Sequence, residues 1–344
     1  MNWNINDQMR LSAGVDNIAG NPLYAAFANI PDSIPAADQA ALRTQGEAAI
    51  RQFAAPAFAK FAAFMRDDYI PHARTSIAAE ALPDGKAYYA AKVREYTTLD
   101  LTPDQIHEIG LEEVARIEGD MKATMKQAGW TGDLPGFIHF LKTDPQFYAT
   151  TPYELVAKST YVANKAYGQL KYTLGLLPRR RFSIVQTPAN MAPLAASGNG
   201  AVDTCMMNTY DLPSRPLYTL PSLTLHECVP GHSLQFGLAQ EGPQRPQIRK
   251  ASYFSGYGEG WGLYVEWLGT KMRIYETPYE EFGRESYEIW RAARLVIDTG
   301  MHHKGWSRQQ AIDYLARHTA LSDLEVTTDV DRYINTPGQA LGRL

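Results

Sequence analysis

His226-Glu227-Cys228-Val229-Pro230-Gly231-His232 is the stretch on which the reading of this chain turns. Neutral imidazole is a common zinc ligand, and a glutamate beside a zinc-bound water can serve as its general base. In the familiar H-E-x-x-H pattern the histidines are four apart and lie about 40° apart around a helix. Here they are six apart, roughly 240° around a regular helix, and so on different faces. The two imidazoles meet one ion only if the helix is distorted between them. Pro230 lacks the N–H that would bond to the carbonyl of His226, and Gly231 tolerates unusual dihedrals. The expectation is a bulge of about two residues that returns His232 to the face of His226.

A catalytic zinc site uses three protein ligands and leaves one position open. The third-ligand candidate is Glu259, in Tyr257-Gly258-Glu259-Gly260-Trp261-Gly262. Between His232 and Glu259 there is room for the motif helix to end, a loop at Glu241-Gly242-Pro243, and a second helix to return. Alone, Glu259 reads as a solvated carboxylate on an amphipathic helix; beside the two histidines it reads as a ligand. Glu266, seven residues on, shares nearly the same helical face and is placed to accept from the other nitrogen of a ligand histidine. Cys228 reads as a small buried filler rather than a soft ligand.

Further along, Arg291, Arg294, Asp298 and His302 form one polar stripe on an otherwise apolar helix. Asp298 is spaced to orient His302, which would then steady a developing oxyanion; a surface ion-pair ladder is an equally good reading. Tyr333 is a candidate second oxyanion donor. Arg215, Arg294 and Arg332 are each candidates for a substrate carboxylate.

The bulk properties set the frame. The chain has 344 residues, 45% hydrophobic and 20% charged, as expected of a globular protein with a large core. A net charge of −4 gives no electrostatic footprint for nucleic acid. The two cysteines, Cys205 and Cys228, suggest no disulfide framework and permit a reducing compartment. No run of 18 apolar residues is present, so no membrane partner is expected. The N-terminal residues lack the pattern of a signal peptide, and the literal expectation is cytoplasmic.

Five Ser/Thr residues are followed three positions later by Glu or Gln, at Thr102, Thr151, Thr277, Ser307 and Ser322. Three of them precede a proline at the first helical position. With helical periodicity after each, these predict a mainly α-helical protein. An alanine-rich helix is expected over about 38–67, kinked at Pro56, and another around Lys86–Tyr96. The exception is Phe182–Val185 and Cys205–Tyr210, which read as short strands, so a small sheet should precede a motif helix starting near Pro221-Ser222. Nothing in the sequence marks a domain boundary, and 1–344 reads as a single domain.

Taken together, these segments resemble the bacterial family known as domain of unknown function 885. The resemblance rests on Tyr210–Pro216, His226–His232, Glu259–Tyr264, Asp298–His302, and Arg332-Tyr333 with Pro337–Leu341. Tyr96-Thr97-Thr98, Thr102-Pro103 and Ile106-His107 extend it upstream. Members are longer at both ends, so the chain looks like a shortened one. The family in turn resembles the gluzincin group of zinc peptidases. That resemblance implies one zinc ion held by His226, His232 and Glu259, with Glu227 as general base and His302 and Tyr333 as transition-state stabilisers. It also implies a peptide substrate laid along an edge strand, for which Met206–Thr209, including Asn208, is the matching segment. The expected function is zinc-dependent peptide hydrolysis. The alternatives are a metal hydrolase of a non-peptide amide and an inactive helical binding protein; the oligomeric state is left open.

Overall fold

Each of the five N-terminal signals becomes a helix cap. Thr102, Thr151, Thr277, Ser307 and Ser322 all accept the backbone N–H three residues on. At Thr102 and Ser307 the Gln at the third helical position also bonds back, completing the capping box. The architecture, seen in a computed structural model that describes residues 12–342 and 344, is mainly α with one three-stranded sheet. The chain divides into two compact units, Met1–Ser76 and Ile77–Leu344, a boundary that no composition shift announces.

In the first unit, α1 (Ala36–Ala49) and α2 (Ala55–Phe64) are joined by a wide π turn at Ile50–Ala54. Pro56 lies in the first turn of α2, so its missing N–H is absorbed by the widened turn before it. The expected kink is therefore realised as a π turn.

The second unit contains α3 (Gly85–Thr97), α4 (Pro103–Gln127), α5 (Leu134–Thr143) and α6 (Pro152–Thr173). After the sheet come α7 (Leu220–Glu227), α8 (His232–Glu241), α9 (Ser255–Lys271) and α10 (Pro278–His302). The unit closes with α11 (Arg308–His318) and α12 (Asp323–Asn335). Helix α10 is the axis of this unit. It runs antiparallel to α4, as the contacts His107–Thr299 near one end and Thr124–Glu285 near the other require. One core gathers Ile117, Met121, Phe137, Phe282, Ile289 and Ile297 around α4, α5 and α10. A second packs Leu155, Val162 and Leu170 of α6 against Leu225 and Leu268 of α7 and α9. Each such side chain contributes about 1.5–3 kcal/mol on burial. The second core holds the motif helix in place from behind.

The sheet consists of β1 (Ser183–Gln186), β2 (Gly198–Gly200) and β3 (Thr204–Met207), in the order β1-β3-β2. β3 pairs parallel to β1 and antiparallel to β2. This corrects the expectation for Met206–Thr209: β3 is the central strand, with both edges taken, and cannot add a further strand. The edge strand beside the motif is β2, in the glycine-rich segment.

Cys205 and Cys228 form a disulfide, with their Cα atoms 5.5 Å apart, which overturns the reading of two unpaired thiols. Cys205 lies on the central strand and Cys228 directly after Glu227, so the crosslink fastens the sheet to the end of α7.

Candidate metal centre

The helix carrying His226 does not bulge; it stops. α7 ends at Glu227, Cys228 leaves the helical region (φ −101°, ψ −86°), and a new helix begins at His232. Between them the Val229–Pro230 peptide is cis. A bulge keeps the chain on one axis, whereas Pro230 and the non-helical Cys228 end the hydrogen-bond ladder altogether. Gly231 is needed because a Cβ there would collide with the carbonyl oxygen of His226. The consequence anticipated for the bulge is nevertheless met. The two imidazoles lie edge to face, their centroids 4.8 Å apart.

Glu259 lies in the second turn of α9 and faces both rings. Its Oε2 is 3.5 Å from His226 Nε2 and 4.0 Å from His232 Nε2. Among the described residues this is the one group of three or more His, Cys, Asp or Glu with ligand atoms mutually within 4.8 Å. Two ligand atoms each about 2.0–2.1 Å from a tetrahedral ion stand about 3.4 Å apart, so the spacing fits a zinc-sized cation after small adjustments.

The rings are oriented from behind. His226 Nδ1 lies 2.6 Å from Glu266 Oε1, which leaves Nε2 for the centre, and His232 Nδ1 meets Gln235 Oε1 at 3.2 Å. Glu266 is fixed in turn by Arg291 (2.6 Å) and by the hydroxyl of Ser222 (2.8 Å). Burial pushes the Glu266 carboxyl up, but Arg291, His226 and Ser222 more than offset it and hold it below the usual range. Burial likewise disfavours a charged His226, yet Glu259 and Glu266 raise it above its ordinary value. His232 is lowered, first by burial and then by the neighbouring His226. Gly262 lets α9 approach this closely, since a Cβ there would meet the His226 ring. Trp261 Nε1 donates to the carbonyl of Pro230 at 2.8 Å, tying α9 to the break between the two histidines.

Glu227 points to the edge strand. Its Oε2 accepts the N–H of Gly200 at 2.9 Å, and its Cγ lies close to Gly198. One carboxylate oxygen is thus fixed by the edge strand, and the other carries no such tether.

The remaining candidates are distributed differently from expectation. All four members of the α10 stripe are buried, which excludes the surface ladder. His302 is fully buried: its Nδ1 accepts from Ala79 N–H and its Nε2 donates to the Tyr333 carbonyl. Both nitrogens are engaged by the protein, so His302 is not disposed as an oxyanion donor. Asp298 accepts from the Tyr89 hydroxyl (2.6 Å) and from Gly338 N–H. Tyr333 gives its hydroxyl proton to Asp329 at 2.6 Å, so it too is committed within the protein. Arg294 is buried against Asp329 (3.2 Å) and over the Trp290 ring. Asn208 is buried and spends its side chain on Ala192, Ala195 and Tyr210, so its expected substrate role is replaced by a structural one. Arg215 reaches Ser197, the residue before β2. Arg332 is the candidate on the metal side. Asp329 and Tyr333 hold it, its side chain stays 42% exposed, and its charge is coupled to Glu259.

Arg291, Gln235 and the β2 edge were not assigned a role at the centre from sequence. The polar stripe on α10 was a signal for Arg291. No pattern marked Gly200, whose contribution is a backbone N–H.

A family profile described as "Bacterial protein of unknown function (DUF885)" matches residues 5–343. Comparison with curated proteins gives no match. The chain is similar to a crystal structure described as "the putative lipoprotein from Colwellia psychrerythraea", with a TM-score of 0.90 and 29% identity over 98% of this chain and 60% of that one. It shares its fold with "a putative lipoprotein of unknown function from Shewanella oneidensis", with a TM-score of 0.67 and 16% identity over 98% of this chain and 64% of that one. The chain therefore spans less than two thirds of the length of either.

Proposed function

This chain belongs to that bacterial family, and we propose that it is a zinc-dependent hydrolase that cleaves peptide bonds. The observation that carries the proposal is the convergence of His226, His232 and Glu259 with a general-base candidate, Glu227, already oriented by Gly200. When bound, zinc supplies Lewis acidity, lowering the pKa of a water and polarising a carbonyl. Glu227, one oxygen held by Gly200, presents the other to take the proton of the attacking water and return it to the leaving amine. Arg332, braced by Asp329 and Tyr333, supplies positive charge on the same side for the carbonyl oxygen or a terminal carboxylate.

A peptide is favoured over other amides by the β2 edge. Asn208 N–H bonds to Ser197 O and Ala201 N–H to Thr204 O, so residues 197, 199 and 201 turn their backbone groups toward β3. Gly198 and Gly200 therefore turn theirs outward, and Gly200 N–H reaching Glu227 agrees with this. An extended backbone beside β2 would meet the outward groups of Gly198 and the Gly200 carbonyl next to the general base, the Gly200 N–H being taken by Glu227.

The buried disulfide and the two similar lipoproteins support a site of action outside the reducing cytoplasm. Among the described residues no helix is long and apolar enough to cross a membrane.

The test is zinc stoichiometry together with cleavage of a mixed peptide library read by mass spectrometry. About one zinc per chain and cleavage abolished by Glu227→Gln are expected. A protein that binds no zinc, or a Glu227→Gln variant as active as the parent, overturns the proposal. Zinc binding without hydrolysis of any peptide would favour a binding protein.

A further inference from the structure

Helix α9 has two opposed faces. With about 100° between successive residues, Glu259, Gly262 and Glu266 share the side turned to the candidate metal centre, and Tyr257, Tyr264, Trp267 and Lys271 share the opposite side. On the inner side Gly262, Val265 and Glu266 are buried. On the outer side Tyr257 is 72% exposed, and Tyr264 and Trp267 are nearly half exposed. These outer rings are continuous. The Trp261 and Tyr264 centroids stand 5.7 Å apart, those of Tyr264 and Trp267 5.8 Å, and Lys271 Nζ lies 5.4 Å from the Trp267 ring. The segment before α9 extends the surface: Ile248 and Phe254 are exposed, and the Tyr253 hydroxyl packs on α9 where a Cβ at Gly258 would stand.

The charge of this region runs against that of the whole chain, which is −4. From Gly242 to Tyr275 there are five cations, Arg245, Arg249, Lys250, Lys271 and Arg273, and two acids, Glu259 and Glu266. Both acids face His226. The flanking acids are also engaged, Glu241 by the N–H groups of Arg179 and Arg180 and Glu276 by Lys165. Arg245, Arg249, Lys271 and Arg273 are exposed, and among the described residues none of the four forms an ion pair.

Phe254, Tyr257, Tyr264 and Trp267, each about half exposed or more, present roughly 300–500 Å² of ring surface, enough to mark an interaction surface. Binding to a folded partner concentrates on a few anchors in pockets, whereas here rings and cations are spread along about 20 Å of one helix face. Tyr and Trp rings beside Lys and Arg suit the headgroup level of a bilayer, the rings against the upper acyl chains and the cations on lipid phosphates. We propose that the outer face of α9 and the loop before it dock on the surface of a bilayer containing anionic phospholipid. The expectation of no membrane partner concerned spanning segments, and no described helix is one; this contact is peripheral. It leaves the inner face of α9, with Glu259, turned away from the lipid.

The experiment is cosedimentation of the full chain with two kinds of vesicle, phosphatidylcholine alone and phosphatidylcholine mixed equally with phosphatidylglycerol, at low and high salt. Binding to the anionic vesicles is expected, at least tenfold stronger than to the neutral ones and weakened by salt. Arg249→Glu with Lys271→Glu should weaken it by about fivefold or more per site. Tyr264→Ser with Trp267→Ser should weaken it at either salt concentration, with the helical signal intact. Lys122→Glu, the same charge change on α4, should bind like the parent, and so should Glu227→Gln, which separates this surface from the hydrolase proposal. No binding to anionic vesicles, equal binding to neutral ones, or parent-like binding by either double variant overturns the proposal. Lipid-free dimerisation that the same double variants abolish would overturn it too, by giving the face to a second copy.

Discussion

Glu266 and His226 meet at 2.6 Å in a fully enclosed setting, and the contact turns the other imidazole nitrogen toward Glu259. Partners of this kind typically govern metal affinity by 10–100-fold. Glu266→Gln should therefore weaken zinc binding by about that factor, and Arg291→Met, which frees Glu266 on its other side, should do likewise. Chelator competition measures both. Unchanged affinity in both variants would show that the ligand geometry is set elsewhere.

Replacing Glu227 by Gln keeps the shape and the acceptor for Gly200 but removes the base. Turnover of a cleaved peptide should fall by about 10²–10⁴-fold, with zinc content unchanged. Loss of zinc along with activity would instead make Glu227 part of the metal's support.

His302→Ala removes a buried ring that satisfies Ala79 N–H and the Tyr333 carbonyl. Stranding both groups and opening a cavity should cost about 2–5 kcal/mol. Thermal unfolding should shift down with zinc affinity preserved. A variant of normal stability that loses turnover alone would return His302 to the chemistry.

Asp298 is fully enclosed, and burial pushes its carboxyl up to about 7, with Tyr89 and Gly338 only partly countering. The folded protein thus holds this proton more tightly than the unfolded chain, where the group titrates near its ordinary 3.8. As pH rises from about 4 to about 7, the unfolded chain releases the proton first and stability declines, by up to about 4 kcal/mol, then levels off. Glu285 adds in the same direction. Asp298→Asn should flatten a large part of this slope in denaturant titrations between pH 5 and 8; an identical slope in the variant would refute the assignment.

Replacing Cys205 and Cys228 together by Ser removes a crosslink closing a segment of 23 residues. A loss of about 3 kcal/mol is expected from the loop length, read from chemical denaturation of parent and variant. Equal midpoints would mean that the surrounding packing alone fixes the end of α7 against the sheet.

Much of this was legible in the sequence because it is encoded locally. The five caps need only residues three apart, and Glu266 follows Glu259 at helical spacing. The convergence of His226, His232 and Glu259 was legible because two histidines flanking Pro-Gly meet only across a break, and a carboxylate on the returning helix is spaced to join them. The form of the break was not, since a bulge and a full stop carry the same residues. His302 was misread because its partners, Ala79 and Tyr333, come from distant segments. The cysteine pair was missed for a related reason: only the placement of β3 against α7 brings positions 205 and 228 together. Edge and centre of the sheet were exchanged because a Gly-Asn-Gly strand has no side-chain alternation to read.

The bond from Trp261 to Pro230 joins two segments that supply different members of the candidate ligand set, yet neither partner belongs to that set. With the disulfide and the Glu266–Arg291 pair, it gives the three converging side chains a scaffold made of the protein alone. Such a protein should tolerate being emptied and refilled. Unlike a zinc finger, which unfolds without its metal, the chelated chain would keep its helical content, and other divalent ions could exchange into the same three donors.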